Sequence, residues 1–377
     1  MNIIDEYFEK MTNNLSFIEL KEDAYIDLKD YKIDNRIPLP MILDTLVVEI
    51  QEGNFYEELD IEHLINGIIY TLGADIDFKF KKEYIEILYH YDCKIEDYIL
   101  YRGLKFAEKE NYDTAAIYFR SLVNINKENI GGLFNYALSL ENIGTKFIED
   151  GFRDKGNIFL REATNYLETI LEIDPKFPLA YYKLGYHYKY FGNFLKANLI
   201  WQKYLKIGES IEGIEEIRVQ LELIEDDVDF EQGVYYLNIE EYDLALERLL
   251  KLMDKYGEWG HLYYLIALCY KGNGQYKEAI EFLEKAIKLD SDNVDIYNEL
   301  GICFYTLGDL DKALEVFDSG VKINHMDYKI IFNRGMINLE LGNIPKAMED
   351  INLAYELNPE EDSIKDQKIE LEKYLGL

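Results

Sequence analysis

The stretch VDIYNELGICFYTLGDLDKALEVFDSGVKIN, residues 294–324, decides the fold of this 377-residue chain. It contains two amphipathic patterns of similar length, separated by a glycine and an aspartate. In the second pattern Ala313 is followed four residues later by Phe317, so both side chains lie on one face of a helix. In the first pattern Gly301 is small enough to let two antiparallel helices approach to about 8–10 Å. The stretch therefore predicts a helical hairpin.

The hairpin pattern repeats along the chain. The pair of a small residue and a large apolar residue four positions later occurs with the small residue at Ala115, Ala163, Ala197, Ala245, Ala279, Ala313 and Ala347. Successive alanines lie 34 residues apart, except at two intervals of 48 residues that contain insertions of 14. A persistent period of this length is typical of proteins built from stacked supersecondary units.

These units resemble the tetratricopeptide repeat family. Besides 294–324, the unit before it carries YYLIALCYKGNGQYKEAIEFLEKAIKLD (263–290), and the unit after it carries GMINLELGNIPKAMEDINLAYELNP (335–359). The resemblance covers roughly residues 96–361. It implies an all-α fold, a right-handed solenoid of about seven helical hairpins with a helical N-terminal region and a C-terminal capping helix.

The period also predicts where the segments of the chain begin and end. The second unit would have a lengthened hairpin, because its extra residues lie between Gly144 and Leu160. The other insertion has apolar residues at helical spacing and predicts an extra helix. We expect a helical N-terminal region at 1–95, three repeat units at 96–211, an inserted helix at 212–225, four units at 226–361 and a capping helix at 362–377.

The N-terminal region does not keep the period. Helical patterns occur around 3–11, 40–52, 58–72 and 81–91, and Pro40 is suited to a helix start. The polar stretch 13–36 is predicted to be a loop. The region is either an elaborate cap or a family-specific functional module, and the sequence leaves both alternatives open.

The composition excludes several partner classes. The formal net charge of −33 repels nucleic-acid phosphates and anionic lipid headgroups, so we expect neither nucleic acid nor membrane as a partner. The start MNIIDEYFEK lacks the basic segment of a signal peptide. The three cysteines are odd in number and form no CxxC pair, which favours a reducing compartment and buried thiols. We therefore expect a cytoplasmic protein.

No pattern of catalytic or metal-ligating residues stands out. GxxxxGK[ST] and HExxH are both absent, and the five histidines are scattered along the chain. Cys269 and Cys303 occupy the same position in consecutive units, which suggests small buried residues rather than nucleophiles. We expect no enzyme activity, no cofactor and no metal site.

The resemblance implies instead a partner-binding groove lined by the first helix of each unit. In the family, positions 2, 5, 9 and 12 of a unit point into the concave groove. On this sequence these positions give a largely apolar and aromatic set with a few lysines, which is typical of a binding surface. The predicted groove residues are Phe134, Leu138, Tyr182, Tyr186, Lys189, Phe230, Val234, Tyr264, Leu268, Lys271, Asn298, Ile302, Tyr305, Lys329, Phe332 and Met336.

The resulting functional prediction is a protein-interaction adaptor that binds a peptide or an amphipathic helix of another protein in this groove. On a chain this acidic, either a basic segment would be steered toward the groove or the acidity only keeps an elongated protein soluble. The alternative is a bacterial regulator that senses short peptides and whose N-terminal region is the effector. That alternative predicts several groove asparagines to hold the peptide backbone. The sequence predicts no oligomeric state.

Overall fold

A computed structural model describes residues 2–22, 24–28, 31–45, 47 and 61–376. The chain divides into two compact units, Met1–Arg218 and Val219–Leu377, called here the N-terminal unit and the C-terminal unit. Each is described by itself.

The N-terminal unit begins with a mixed region of short helices and strands. Two antiparallel ribbons form, in which β1 pairs with β4 and β2 pairs with β3. The elements are α1 (Ile3–Glu9), a 3-10 helix (Lys10–Asn14), β1 (Leu15–Ile18), β2 (Tyr25–Leu28), β3 (Tyr31–Asp34), β4 (Leu39–Ile42), α2 (Ile61–Ala74) and α3 (Lys81–Tyr91).

The ribbons correct two predictions for this region. Pro40 does not start a helix, because it lies in β4 opposite Phe17 of β1. Helix α2 crosses β4 so closely that a Cβ on Gly67 would lie 2.0 Å from the carbonyl oxygen of Pro40. The stretch predicted to be a loop, 13–36, contains β1, β2 and β3. Residue 46, residues 48–52 of the predicted helix at 40–52 and residues 58–60 of the one at 58–72 lie outside the described residues.

The mixed region shares one apolar core with the first repeat hairpin. Buried side chains of α2 and α3, such as Leu64 and Ile87, belong to the same cluster as Ile99 and Leu122 of the first hairpin. Burial of this shared surface is favourable by about 25 cal/mol per Å² of apolar area. The region therefore covers the apolar side of the first hairpin.

Three hairpins and one further helix follow in the N-terminal unit. The second hairpin is long, with 20 residues in its first helix and 21 in its second, against 14 in the second helix of the hairpin before it. The helices are α4 (Ile95–Glu108), α5 (Tyr112–Ile125), α6 (Ile130–Glu149), α7 (Arg153–Ile173), α8 (Pro178–Tyr190), α9 (Phe194–Ile207) and α10 (Ile211–Leu223), the last of which contains the boundary between the units.

The C-terminal unit consists of four hairpins and a last helix. Its helices are α11 (Glu225–Asn238), α12 (Tyr242–Lys251), α13 (Gly260–Gly272), α14 (Tyr276–Leu289), α15 (Val294–Thr306), α16 (Leu310–Ile323), α17 (Tyr328–Glu340), α18 (Ile344–Leu357) and α19 (Asp362–Leu375). The first helices of consecutive hairpins, α11, α13, α15 and α17, contact one another in order. Together they form the first-helix face. The expected all-α fold of stacked hairpins is confirmed.

Close helix contact at a glycine occurs where the sequence predicts it. A Cβ on Gly301 of α15 would lie 2.4 Å from the ring of Phe317 of α16, so only glycine allows this approach. Phe317 is 1% exposed and fills the space between the two helices. The same arrangement of a small and a large residue recurs along the stack and sets the distance between paired helices.

The turn inside most hairpins has a left-handed residue, which is usually glycine. Gly192, Gly274, Gly308 and Gly342 have φ between +70° and +81°. At the corresponding turns of the first and fourth hairpins, Glu110 and Glu240 have φ of +60° and +62°. This region is unfavourable for a residue with a Cβ, so these two turns are strained.

Two of the cysteines are buried, as expected, and the third is not. Cys269 and Cys303 lie inside the first helices α13 and α15, whereas Cys93 is exposed. Cys93 lies in the turn between α3 and α4. Among the described residues, no helix is both long and apolar enough to cross a membrane.

Candidate functional site

The predicted groove residues all lie on first helices of the repeat hairpins, and none belongs to the buried core. Tyr305 and Lys329 are exposed, and the others are half-buried. The structure divides them between the two compact units. Phe134, Leu138, Tyr182, Tyr186 and Lys189 lie on α6 and α8 of the N-terminal unit.

Helix α10 occupies part of the predicted surface in the N-terminal unit. The hydroxyl of Tyr182 donates a hydrogen bond to Glu216 Oε2 at 2.8 Å, and the hydroxyl of Tyr186 donates to Glu216 Oε1. Burial and the Glu216 carboxylate raise the pKa of Tyr186 above its ordinary value. Phe134, on the preceding first helix, packs edge-on against Phe177 with ring centroids 5.3 Å apart. Two predicted groove residues, Tyr182 and Tyr186, thus already have Glu216 as an intramolecular hydrogen-bond partner.

In the C-terminal unit, four rings gather on the first-helix face. We call Phe230, Trp259, His261 and Tyr264 the ring cluster. The centroids of Phe230 and Trp259 are 4.7 Å apart, and those of His261 and Tyr264 are 6.2 Å apart with the rings at 29°. Trp259 is 36% exposed and His261 is exposed, so the cluster opens to solvent.

The ring cluster depends on a shortened helix. Helix α12 has 10 residues, whereas the second helices of the next three hairpins each have 14. The repeat period is unchanged, so the residues after Lys251 form a longer connection to α13. This connection carries Trp259, which lies directly before α13 and packs against Phe230. The sequence did not predict Trp259 as a groove residue, because the resemblance assigns groove residues only to set positions of the first helices and Trp259 precedes its helix.

Carboxylates lie beside the ring cluster. Burial raises the pKa of Tyr264 to about 12, and the negative charges of Glu299 and Asp295 contribute to the increase. Both acids are on α15, the next first helix. Glu299 forms an ion pair with Lys271 of α13, a predicted groove residue. The cluster is therefore adjacent to negative charge from the neighbouring repeat.

An apolar strip crosses the first-helix face beside these polar groups. Val234, Leu268, Ile302 and Met336 occupy equivalent positions on four successive first helices, and each is half-buried. Equivalent positions on stacked repeats align into rows, so these four side chains lie in one row across the face, called here the apolar strip. The exposed ring of Tyr305 lies further along α15, and its hydroxyl donates to Glu340 Oε1 at 2.6 Å.

The far end of the face has a cavity of about 290 Å³ with a paired set of amides. The side-chain nitrogen of Asn333 donates a hydrogen bond to Asn298 Oδ1 at 2.7 Å. The cavity lies between α15, α17 and the start of α19, and it is lined by Asn298, Tyr328, Lys329, Phe332, Asn333, Glu361, Ser363 and Ile364. Three predicted groove residues are thus brought together here.

The chemistry of the first-helix face is that of a binding surface. Partly exposed rings and aliphatic side chains can bury apolar area of a partner, and the amides can hydrogen-bond to its backbone. In the described part of the chain, no group of three His, Cys, Asp or Glu side chains is arranged to hold a metal ion.

The hairpins repeat the same pattern of small and large residues, and consecutive hairpins of the C-terminal unit contact one another through their first helices. These two features are those of a helical-repeat protein. Comparison with family descriptions then specifies the repeat. Residues 269–308 match the family described as TPR repeat, and residues 294–324 and 328–361 match the family described as Tetratricopeptide repeat. The chain therefore contains tetratricopeptide repeats within residues 269–361.

Solved structures with similar hairpins include the MamA protein of Desulfovibrio magneticus RS-1, with 22% identity, coverage of 51% of this chain and 96% of that one, and a TM-score of 0.32. YrrB, described as a TPR protein with an unusual peptide-binding site, has 19% identity, coverage of 66% and 97%, and a TM-score of 0.28. The first TPR of Spaghetti (RPAP3), bound to an HSP90 peptide, has 19% identity, coverage of 31% and 94%, and a TM-score of 0.30. Similarity this low carries no functional inference. None of the curated proteins compared with the chain matches it.

Proposed function

We propose that this protein is an interaction scaffold that binds an extended segment of another protein on the first-helix face of its C-terminal unit. The observation that carries the proposal is the ring cluster, in which aromatic side chains remain partly open to solvent beside the apolar strip. Single exposed apolar residues are common on proteins, whereas a contiguous patch of rings usually marks an interaction surface.

The amide pair supports an extended peptide as the occupant. The hydrogen bond between Asn298 and Asn333 uses one donor hydrogen and one acceptor lone pair of the two side chains. Asn298 keeps its amide hydrogens and Asn333 keeps its carbonyl oxygen. A peptide backbone offers the complementary carbonyl and N–H groups, so the pair can hold a chain that passes over α15 and α17.

The C-terminal unit is preferred over the N-terminal unit because its face is less covered. In the N-terminal unit Glu216 accepts hydrogen bonds from both Tyr182 and Tyr186, and a ligand there would have to displace α10. The peptide-binding face is therefore assigned to α11, α13, α15 and α17.

For the N-terminal region we propose the role of a cap. Its apolar side chains complete the core of the first hairpin, and terminal repeats of solenoids require such coverage. The alternative, a peptide-sensing regulator with its effector in this region, would need a second functional surface there. The shared core supports the cap.

Partner capture followed by affinity measurement tests the proposed function. Wild type, a Trp259→Glu, Phe332→Glu variant and a Leu289→Glu control are compared in native lysate, and a retained protein is mapped to a peptide. Leu289 is a suitable control because it is 45% exposed on the second helix α14. The peptide should bind wild type and control alike and bind the double variant at least about tenfold more weakly. Equal dissociation constants for all three proteins, each shown to be folded by circular dichroism, would reject this face.

A further inference from the structure

We propose that the ring cluster holds a cationic side chain, lysine or arginine, of the bound peptide. This inference rests on the proposed function and specifies the chemistry of one anchor of the partner. It is carried by three observations on the C-terminal unit: the exposure of the rings, the lack of a cation over them among the described residues, and the negative charge beside them.

The rings present open faces of the kind that attract cations. An aromatic ring is negative on its face, and tryptophan binds a cation most strongly, with histidine less suited to the role. Trp259 is 36% exposed, and its ring packs at 34° to that of Phe230 with the centroids 4.7 Å apart. A lysine or arginine head group can lie against the exposed part of Trp259, with its aliphatic stem on the adjacent apolar strip.

The chain covers other rings of this unit with its own cations but leaves the ring cluster open. Lys285 lies 4.6 Å from the ring centroid of Phe282, and Lys368 lies 4.5 Å from that of Tyr355. Among the described residues, no lysine or arginine lies over Phe230, Trp259, His261 or Tyr264. The position that a cation takes elsewhere in the unit is thus available to one from a partner.

Negative charge beside the cluster favours a cation over a neutral apolar side chain. Asp295 and Glu299 are close enough to raise the pKa of Tyr264. Lys271 already pairs with Glu299, whereas the described residues provide no ion pair for the exposed Asp295 carboxylate. The formal net charge of −33 would further attract a basic segment from solution. An acidic anchor would be repelled at the same place.

Pooled peptides that differ only at one position test the inference. Each pool contains labelled twelve-residue peptides, about 40 Å long when extended and thus long enough to cross four first helices. The central residue is arginine, lysine, glutamine, leucine or glutamate, and the other positions contain the same mixture of uncharged residues in every pool. Binding is measured by fluorescence anisotropy. We expect the arginine and lysine pools to bind wild type about tenfold more tightly than the glutamine and leucine pools.

Two variants locate the preference on the ring cluster. Trp259→Leu keeps the net charge but removes the aromatic face, so it should reduce the advantage of the basic pools to about twofold. Asp295→Asn should weaken binding of the basic pools by a few-fold without changing the leucine pool. Asp311→Asn is the matched control, because Asp311 is likewise exposed in the first turn of its helix but lies on α16. It should leave all pools unchanged.

The outcomes separate this inference from the proposed function. Tighter binding of the leucine pool than of the basic pools would show that the cluster holds an apolar anchor. That result would overturn the inference of a cationic anchor, and the proposed peptide-binding face would still stand. A basic preference that survives Trp259→Leu would assign it to the general acidity of the surface and also overturn the inference. No binding by any pool would reject the proposed function itself.

Discussion

Glu110 and Glu240 occupy turn positions that glycine holds in the other repeat hairpins. Both have positive φ and exposed side chains, so the glutamate gains little from packing and strains the backbone. We expect Glu240→Gly to raise the free energy of unfolding by about 1 kcal/mol, because relief of left-handed strain exceeds the flexibility that glycine adds to the unfolded chain. Urea unfolding measures the change.

The reverse substitution provides a control. Gly274 has φ of +73°, and a Cβ at this position would have no neighbouring atom within 4 Å, so Gly274→Glu adds strain without a steric clash. It should destabilise by about 1 kcal/mol. If Glu240→Gly destabilised the protein instead, the Glu240 side chain would have to make a stabilising contact that outweighs the strain.

Asp229 replaces the large apolar residue usual at its position in the repeat and is stabilised by an ion pair. It is 9% exposed, and its carboxylate lies 3.1 Å from Arg248 Nη1 and 3.6 Å from Lys251 Nζ on α12. Asp229→Ala leaves Arg248 without its partner and should lower the free energy of unfolding by about 3 kcal/mol. Asp229→Leu with Arg248→Leu should recover most of the loss in urea unfolding. A double variant no more stable than Asp229→Ala would contradict this account.

Glu141 makes the stability of the N-terminal unit dependent on pH. Burial alone would raise the pKa of Glu141, but His187 at 3.6 Å and Lys183 at 3.0 Å lower it below its ordinary value of 4.5. A carboxyl with a lowered pKa in the folded state stabilises above its unfolded pKa, and this contribution disappears as pH falls through the folded pKa. The free energy of unfolding of wild type, measured in urea, should therefore decrease below about pH 4.5.

Glu141→Gln isolates that contribution. The variant should lose about 1–2 kcal/mol at neutral pH, because the buried partners keep only a neutral acceptor. Its free energy of unfolding should then change less than that of wild type between about pH 7 and about pH 3. An identical pH profile for the two proteins would assign the acid dependence to other carboxyls.

At the scale of elements, α1 is held by aromatic contacts to the long hairpin. Phe8 is fully buried, and Tyr7 packs against Phe147 and Phe159 at centroid distances of 5.8 and 5.3 Å. Asp5 forms an ion pair with Arg120. These contacts fix a helix of only 7 residues, which would not be stable alone.

Removal of the Phe8 ring should release α1. Phe8→Ala is expected to cost about 3–5 kcal/mol and to expose the first residues of the chain to limited proteolysis. Tyr7→Phe removes only the hydrogen bond from the Tyr7 hydroxyl to Asp113, which spans 2.6 Å, and should cost about 1 kcal/mol without increased cleavage. Equal cleavage of Phe8→Ala and wild type would show that α1 stays docked without the ring.

The sequence predicted the hairpins because each unit repeats the same small and large residues at a constant spacing. It did not predict the ribbons, because strands of 4 residues are too short for alternation to be distinguished from other patterns. The first-helix positions of the site followed from the resemblance. Trp259 and the Glu216 contacts did not, because the first depends on where α12 ends and the second on where α10 packs. Both are tertiary features that local periodicity does not encode.

At the scale of the whole molecule, each compact unit contains one tryptophan. Trp201 is fully buried in the N-terminal unit, and Trp259 is partly exposed in the C-terminal unit. In Trp259→Phe the remaining Trp201 reports by its fluorescence on the N-terminal unit. In Trp201→Phe the remaining Trp259 reports on the C-terminal unit. Because repeats contact mainly their neighbours, we expect the two variants to report different urea midpoints. Coincident midpoints would show that the units unfold as one.

The long second hairpin has a consequence for the evolution of this protein. Phe147 lies in the last turn of α6 and Phe159 lies early in α7, so both rings that receive Tyr7 come from the length that the other hairpins lack. A homologue whose second hairpin has the length of the others would lack the two rings that contact Tyr7. The extra turns and the aromatic pair of α1 should therefore be inherited together, and the loss of one should be followed by the loss of the other.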